Sequence, residues 1–280
     1  MSATSQWLRV SKQQRCLICD HSDWCTYTND GGKDGKAALA CCMRLESGKP
    51  AKNGGWIHKL GDNTKLRPLP LPVKAEKPVT INAPAIMDAL DRETMPEMLQ
   101  QLAGSLGVSV PSLESIGCAW SSGHKAFAFP MKDAEGATIG IRLRDPISGH
   151  KWAIKGSRAG LFYAEGESKT AYVAEGPTDT AAGLTMGMAT IGRPSCHGSE
   201  DMINAVVRRK GARRVVIMSD NDGPGYRGAI RLIETLSVPC VIWMPPCKDL
   251  RQFLQQGGTA ADIDCMTKGL VWIQPKKKQP

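Results

Sequence analysis

From Lys169 onward, short apolar runs alternate with segments of helical periodicity, and this alternation constrains the fold more than any other feature. TAYVAE (170–175) reads as a buried strand and TDTAAGLTMG (178–187) as a helix. MATIG (188–192) reads as a second strand, and SEDMINAVVRRKG (199–211) as an amphipathic helix with Ser199 as its candidate cap. RRVVIMSD (213–220) and VPCVIWMP (238–245) supply two more strands, separated by the helical PGYRGAIRLIETL (224–236). Near-continuous apolar strands joined by helices predict a parallel sheet covered on both faces, an α/β architecture.

In such a sheet, ligands bind beyond the carboxyl ends of the strands. Glu175 closes the first strand, with Asp179 four residues on. Asp220 closes the third, with Asp222 two residues later in SDNDGPG. One such acid would be an ordinary helix cap or turn former. Acids on two strands of one sheet repel each other and raise each other's proton affinity, which a divalent cation relieves. Hard oxygen donors suit Mg²⁺ or Mn²⁺, the ions that organise phosphate chemistry.

Upstream, AFAFPM (126–131) and ATIGIRLRD (137–145) flank DAEG (133–136), a hairpin turn composition. Arg142 and Arg144 share one face of the second strand. Before the hairpin, Ile86, Leu90, Leu99 and Leu102 recur at helical spacing, with an interruption at Pro96 and a stop at Gly104 or Gly107.

The N-terminal region follows other rules. Five of the ten cysteines fall between Cys16 and Cys42, in a stretch too poor in aliphatic runs to close a core alone. The chain opens without the apolar segment of an export signal, so a metal site is expected rather than a disulfide framework. Cys16-x2-Cys19 is a knuckle, followed by Cys25 and then Cys41-Cys42. Zinc takes four such ligands tetrahedrally, and Cys16, Cys19, Cys25 and Cys42 are the chosen set. Adjacent cysteines in a strand face opposite ways, which assigns Cys41 to packing. Cys41, His21 and His58 stay open as alternatives for the fourth ligand.

Pro68, Pro70, Pro72, Pro78 and Pro84 make 67–84 an extended linker. The expected division is a zinc ribbon over 1–66, the linker over 67–84, a basic α+β subdomain over 85–167, an α/β domain over 168–257 and a tail over 258–280. Lys and Arg number 36 against 27 Asp and Glu, and a net charge of +9 favours a polyanionic partner. No stretch reaches the ~20 apolar residues of a membrane span, so a soluble cytoplasmic protein is expected, with no membrane partner.

EGPTD (175–179) and DNDG (220–223) together resemble the signature of the toprim domain, found in bacterial-type primases, topoisomerases and some nucleases. CKDLRQFLQQG (247–257) is similar to the closing Lys-Asp segment of the primase form, at Lys248 and Asp249. GIRLRDPISGHKWAIKGSRAGLFY (140–163) resembles the basic strand segment before toprim in DnaG-type primases. The cysteine region resembles more loosely the zinc module of phage, plasmid and bacterial primases. Its usual spacing is not reproduced, and CCMRLESGKPAKNGGWIHKL (41–60) is most similar to modules carried on mobile elements.

The resemblance implies a toprim parallel sheet with helices on both faces, preceded by a β-rich basic subdomain and an N-terminal zinc ribbon. It implies template-directed synthesis of short RNA primers from NTPs on single-stranded DNA, in a bacterial or phage-infected cell, with a separate replicative helicase as a further partner. Glu175, Asp220 and Asp222 would hold Mg²⁺ or Mn²⁺, with Asp179 supporting. Arg142, Arg144, Lys151 and Lys155 would form a ridge for NTP and template, bordered by Lys248 and Asp249. In the zinc module, Trp24, Trp56 and His58 with Lys49, Lys52 and Lys59 would stack on bases and contact phosphates, or the tryptophans would cover the metal site.

The alternatives are a toprim nuclease and a non-catalytic zinc/toprim DNA-binding accessory protein. GESKT (166–170) is only a fragment of a G-x4-G-K-[ST] phosphate loop, so no Walker motor is expected. A type IA topoisomerase would need a large additional domain carrying its catalytic tyrosine, and the chain has no room for one.

Overall fold

The structure, a computed structural model, describes residues 6–29, 39–52, 54–60, 80–195 and 198–275. It forms two compact units, Met1–Lys77 and Pro78–Pro280. Residues 67–79 of the expected linker lie outside the described residues, and its last two positions already belong to a helix. No helix among the described residues is long and apolar enough to cross a membrane.

The first unit is a four-stranded antiparallel sheet of β1 (Gln6–Arg9), β2 (Thr26–Asn29), β3 (Leu39–Cys42) and β4 (Trp56–Lys59), in that order. Its buried centre holds Val10 and Tyr27 beside Cys16, Cys25 and Cys42. So small an apolar content cannot offset the entropy of ordering the chain without a further constraint.

The second unit opens with α1 (Ala83–Glu93), α2 (Pro96–Leu106) and α3 (Val110–Ser115). Pro96 does not merely interrupt the helical pattern. It occupies the first position of α2, where its missing N–H costs nothing, and Gly107 ends that helix in the left-handed conformation at φ 68°. An antiparallel sheet follows, with β5 (Ala119–Ser121), β6 (Ala126–Lys132), β7 (Thr138–Arg144) and β8 (Lys151–Ala153) in sequential order. The DAEG turn forms as expected, with Asp133 Oδ1 accepting from the N–H groups of Glu135 and Ala137.

After β9 (Phe162–Tyr163), strands and helices alternate: β10 (Thr170–Glu175), α4 (Gly176–Thr185), β11 (Thr190–Arg193), α5 (Glu200–Arg209), β12 (Arg214–Met218), α6 (Gly223–Thr235) and β13 (Cys240–Trp243). The sheet order is β13-β12-β10-β11-β9; the first four are parallel and β9 is antiparallel at the edge. Alternate residues of each strand enter different cores. Ala171, Val173, Val215 and Ile217 pack with Ile203 and Val206 of α5 and Leu232 of α6. Tyr172, Ala174, Val216 and Met218 pack on the other face with Ala181 of α4 and Phe253. Each fully buried Val, Ile or Leu there contributes about 1.5–3 kcal/mol.

Two local expectations are corrected. Ser199 does precede α5, but at φ 69° its side chain makes no capping bond. Beyond α7 (Leu250–Gln255), residues 258–275 hold a further helix, α8 (Ala260–Lys268). Thr259 and Asp262 close a capping box at its start, and Ile263 is buried in the core. Ile273 then bridges to Cys240 at the edge of β13.

Candidate active site and metal centre

The carboxyl ends of β10, β11 and β12 and the start of α7 face the β7–β8 hairpin across a cleft of about 380 Å³. The turn from β10 into α4 needs Gly176, whose φ of 74° would strain any other residue. Gly192 on β11 lets α4 approach closely, since a Cβ there would collide with Thr180. These two glycines bring Glu175 and Asp179 to the rim of the sheet.

Among the acids, Glu175 is half-buried and accepts from Arg193 Nη2 at 3.2 Å. Arg193, at 2% exposure, also donates to the Gly228 carbonyl at 3.3 Å. Asp179 is buried and accepts from the Arg251 N–H at 3.0 Å. Burial, and then the neighbouring Asp249, push its pKa up to about 6. Asp220 is pushed up to about 7, by burial first and then by Glu175, Asp179, Asp249 and Asp222. The crowding of like charge inferred from the sequence is thus present in the fold.

Asp222 is placed differently. Its Oδ1 caps α6 by accepting from the Gly225 N–H at 2.7 Å, and the residue does not line the cleft. Asp249 caps α7 through the Gln252 N–H at 2.7 Å and does line the cleft, as does the exposed Lys248. The Asn221 N–H donates to the Lys248 carbonyl at 2.8 Å, which ties the loop after β12 to the start of α7.

The opposite wall is cationic. Arg142 Nη2 donates to the Pro194 carbonyl at 2.7 Å, and Arg144 Nη1 to the Gly149 carbonyl at 3.1 Å. The Nε atoms of both arginines are buried without a hydrogen-bond partner. Lys151 pairs across the strands with Arg144. Desolvation in the cleft lowers its pKa, while Asp179 and Asp220 pull it back up. Lys155 stands exposed in the turn after β8, outside the cleft. Arg193 and Arg251 also line the cleft and were not anticipated. The carboxyl-end rule that picked out Glu175 points equally to Arg193, the last residue of β11, once cations are considered as well as acids.

In the first unit, the sulfurs of Cys16, Cys19, Cys25 and Cys42 all lie within 4.8 Å of one another. A tetrahedron of Zn–S bonds of about 2.3 Å sets sulfurs about 3.8 Å apart, and Cys19 and Cys25 are separated by 3.7 Å. Backbone N–H groups of Arg44 and Leu45 donate to Cys42 Sγ at 3.4 and 3.3 Å, and that of Met43 to Cys25 Sγ at 3.4 Å. Such donors stabilise thiolates, so the four residues fit a structural zinc.

Cys41 faces the other side of the sheet, in a pocket with Trp7 and Ile57. His21 Nδ1 donates to the Cys19 carbonyl and His58 Nε2 to the Leu45 carbonyl, and neither ring joins the sulfur group. Trp24 is 75% exposed, whereas Trp56 is half-buried. Among the described residues, no second set of three or more metal-binding side chains is gathered as tightly.

No family model matches the chain, and no curated protein matches it in sequence. Solved structures match it in fold. The zinc-binding and RNA polymerase domains of the Aquifex aeolicus primase superpose with a TM-score of 0.55 at 16% identity, over 68% of this chain and 60% of that one. The DnaG catalytic core gives a TM-score of 0.54 at 16% identity, over 66% of this chain and 79% of that one. The DnaG primase catalytic domain bound to single-stranded DNA gives 0.52 at 15% identity, over 66% and 77%. Over about two thirds of its length, this chain therefore has the fold of the DnaG primase catalytic core.

Proposed function

We propose that this chain is a DNA primase, a nucleotidyltransferase that makes short RNA primers from NTPs on a single-stranded DNA template. The observation that carries this reading is one cleft with two charge sets. Carboxylates stand at the ends of parallel strands, and Arg142, Arg144 and Lys151 face them from a separate sheet. A single-stranded polyanion and a triphosphate need cationic contacts, and arginine offers bidentate geometry to phosphate. The similarly folded DnaG domain that binds single-stranded DNA supports the same assignment.

In this reading Glu175 and Asp220 hold Mg²⁺ or Mn²⁺ with Asp179 supporting, and Asp222 would add from beside the cleft the carboxylate oxygen that does not cap α6. Asp220 fits a cation site because its crowded carboxyl is costly to ionise alone. The bound ion would neutralise charge on the triphosphate and the leaving pyrophosphate. Arg142, Arg144 and Lys151 orient phosphates, and Lys248 borders the entrance. The four cysteines hold zinc in a module that contacts the template.

The test is primer synthesis on single-stranded circular DNA with labelled NTPs and Mg²⁺ or Mn²⁺. An Asp220→Asn/Asp222→Asn variant runs in parallel, because asparagine preserves the cap on α6. Template-dependent short RNA from the wild type, absent from the variant, is the expected result. DNA degradation by the wild type alone would transfer the cleft to a nuclease. Intact DNA and no product, with a replicative helicase also present, would leave a binding module.

A further inference from the structure

The end of the α/β sheet opposite the cleft carries a cluster of the other sign. Arg208, Arg209, Lys210, Arg213 and Arg214 fill five of the seven positions from 208 to 214, with no acid among them. They join the end of α5 to the start of β12. Lys169, just before β10, lies alongside, its carbonyl accepting from the Arg213 N–H at 2.9 Å. All of these except Lys210 are exposed.

Behind them the cations crowd. Lys132 Nζ, the Arg209 guanidinium and Lys210 Nζ lie 5.4, 5.3 and 5.7 Å from the centre of the Tyr163 ring. Lys210 is 5% exposed, and its ammonium donates to the Ala164 and Gly166 carbonyls at 2.6 and 3.1 Å. Glu165 is bonded to Arg209 at 3.0 Å, Asp133 and Glu135 of the β6–β7 turn also act on the Tyr163 ring, and the exposed Glu167 is near in sequence.

Cations at a helix C-terminus offset its dipole, which accounts for Arg208 and Arg209. It does not account for Lys132, Arg213 or Arg214, which lie on other elements. Arg214 is held along the surface, donating to Thr170 Oγ1 at 2.8 Å and lying over the Trp272 ring. Arg208 and Arg213 have no ion-pair partner among the described residues. Like charge gathered this densely favours a polyanion, by the argument that applies with opposite sign to the acids of the cleft.

We propose that this amino-end face is a second nucleic-acid contact, holding the backbone of a strand that extends past the cleft, with Arg208 and Arg213 as its outer phosphate contacts. The proposal rests on the nucleic-acid reading of the cleft. Its contacts are to phosphate, so it adds affinity without sequence preference. The five-residue rise of β10 sets the two ends of the sheet about 16 Å apart, so only a longer strand reaches both.

The experiment compares wild type with Arg208→Ser/Arg213→Ser, measuring affinity for a long single-stranded DNA and for a short oligonucleotide as salt is raised. Each lost phosphate contact lowers the salt slope by about 0.7 on single strands. The expected result is a slope lower by about 1.4 for the long strand and unchanged for the short one. An Arg208→Glu variant with the wild-type melting temperature should weaken the long strand more than Arg208→Ser alone does, which separates charge from folding. Equal slopes for wild type and variant overturn the second contact and leave DNA binding by the cleft intact. A chain that binds neither DNA at low salt overturns both readings.

Discussion

The two units solve the same stability problem by opposite means. Unit 2 buries a two-sided sheet, with Val173, Ile191, Val215 and Ile217 fully enclosed on one face alone. Among the described residues, unit 1 has four short strands and a centre in which fully buried cysteines outnumber fully buried aliphatic residues. A metal can replace a core because its binding free energy, about 10–16 kcal/mol for structural zinc, becomes folding free energy. The lesson is that groups of like charge are tolerated in both units for different reasons. In unit 1 they are the staple. In unit 2 they are a cost to the fold, and a large apolar core sustains it.

Removing a zinc ligand breaks this comparison most strongly. Cys16→Ser, or a chelator, should strip the metal and unfold unit 1, while unit 2 keeps its far-ultraviolet signal and cooperative melt. Cys41→Ser should retain one equivalent of zinc by atomic emission, because Cys41 lies on the other face of β3.

Acidity sharpens it by moving the units in opposite directions. Asp179 and Asp220 have folded-state values raised to about 6 and about 7. Their contribution is therefore fully present below the ordinary carboxylate range, and it is lost as pH climbs through about 6 and then about 7. Metal-free unit 2 should accordingly melt at a higher temperature at pH 5 than at pH 8, and Mg²⁺ should flatten that slope. Zinc-loaded unit 1 should weaken as pH falls, because protons compete for its thiolates. Calorimetry across this range, with and without Mg²⁺, reads both trends.

The smallest effects separate two helix starts that look alike in sequence. Thr259→Ala should cost about 1 kcal/mol in urea denaturation, because Thr259 makes a true capping box. Ser199→Ala should cost almost nothing, since its side chain caps nothing.

These starts also show where the sequence was legible. Runs such as TAYVAE and RRVVIM read as strands because both their faces are buried. The carboxyl-end rule leads directly to Glu175 and Asp220, whereas Pro96, expected as an interruption, opens α2. What stayed hidden depended on tertiary context. The two-residue β9 pairs antiparallel with β11, which no periodicity can reveal in so short a segment. Helix α8 falls in the expected tail, although Thr259 and Asp262 stand at capping-box spacing. Arg193 escaped because its burial against Glu175 exists only once β10 and β11 are paired in parallel. Asp222 shows the converse case: its position in a turn is legible, but its use as a cap appears only in the fold.

The central claim is that acids and cations divide the labour within one cleft. The most direct measurement is Mn²⁺ binding, followed by electron paramagnetic resonance, with and without NTP, in wild type, Asp220→Asn and Arg144→Ala. The account predicts that Asp220→Asn loses the metal. Arg144→Ala should keep the metal but fail to show the change that NTP produces in the wild type. Metal binding that survives in Asp220→Asn, or that Arg144→Ala abolishes equally, would contradict it.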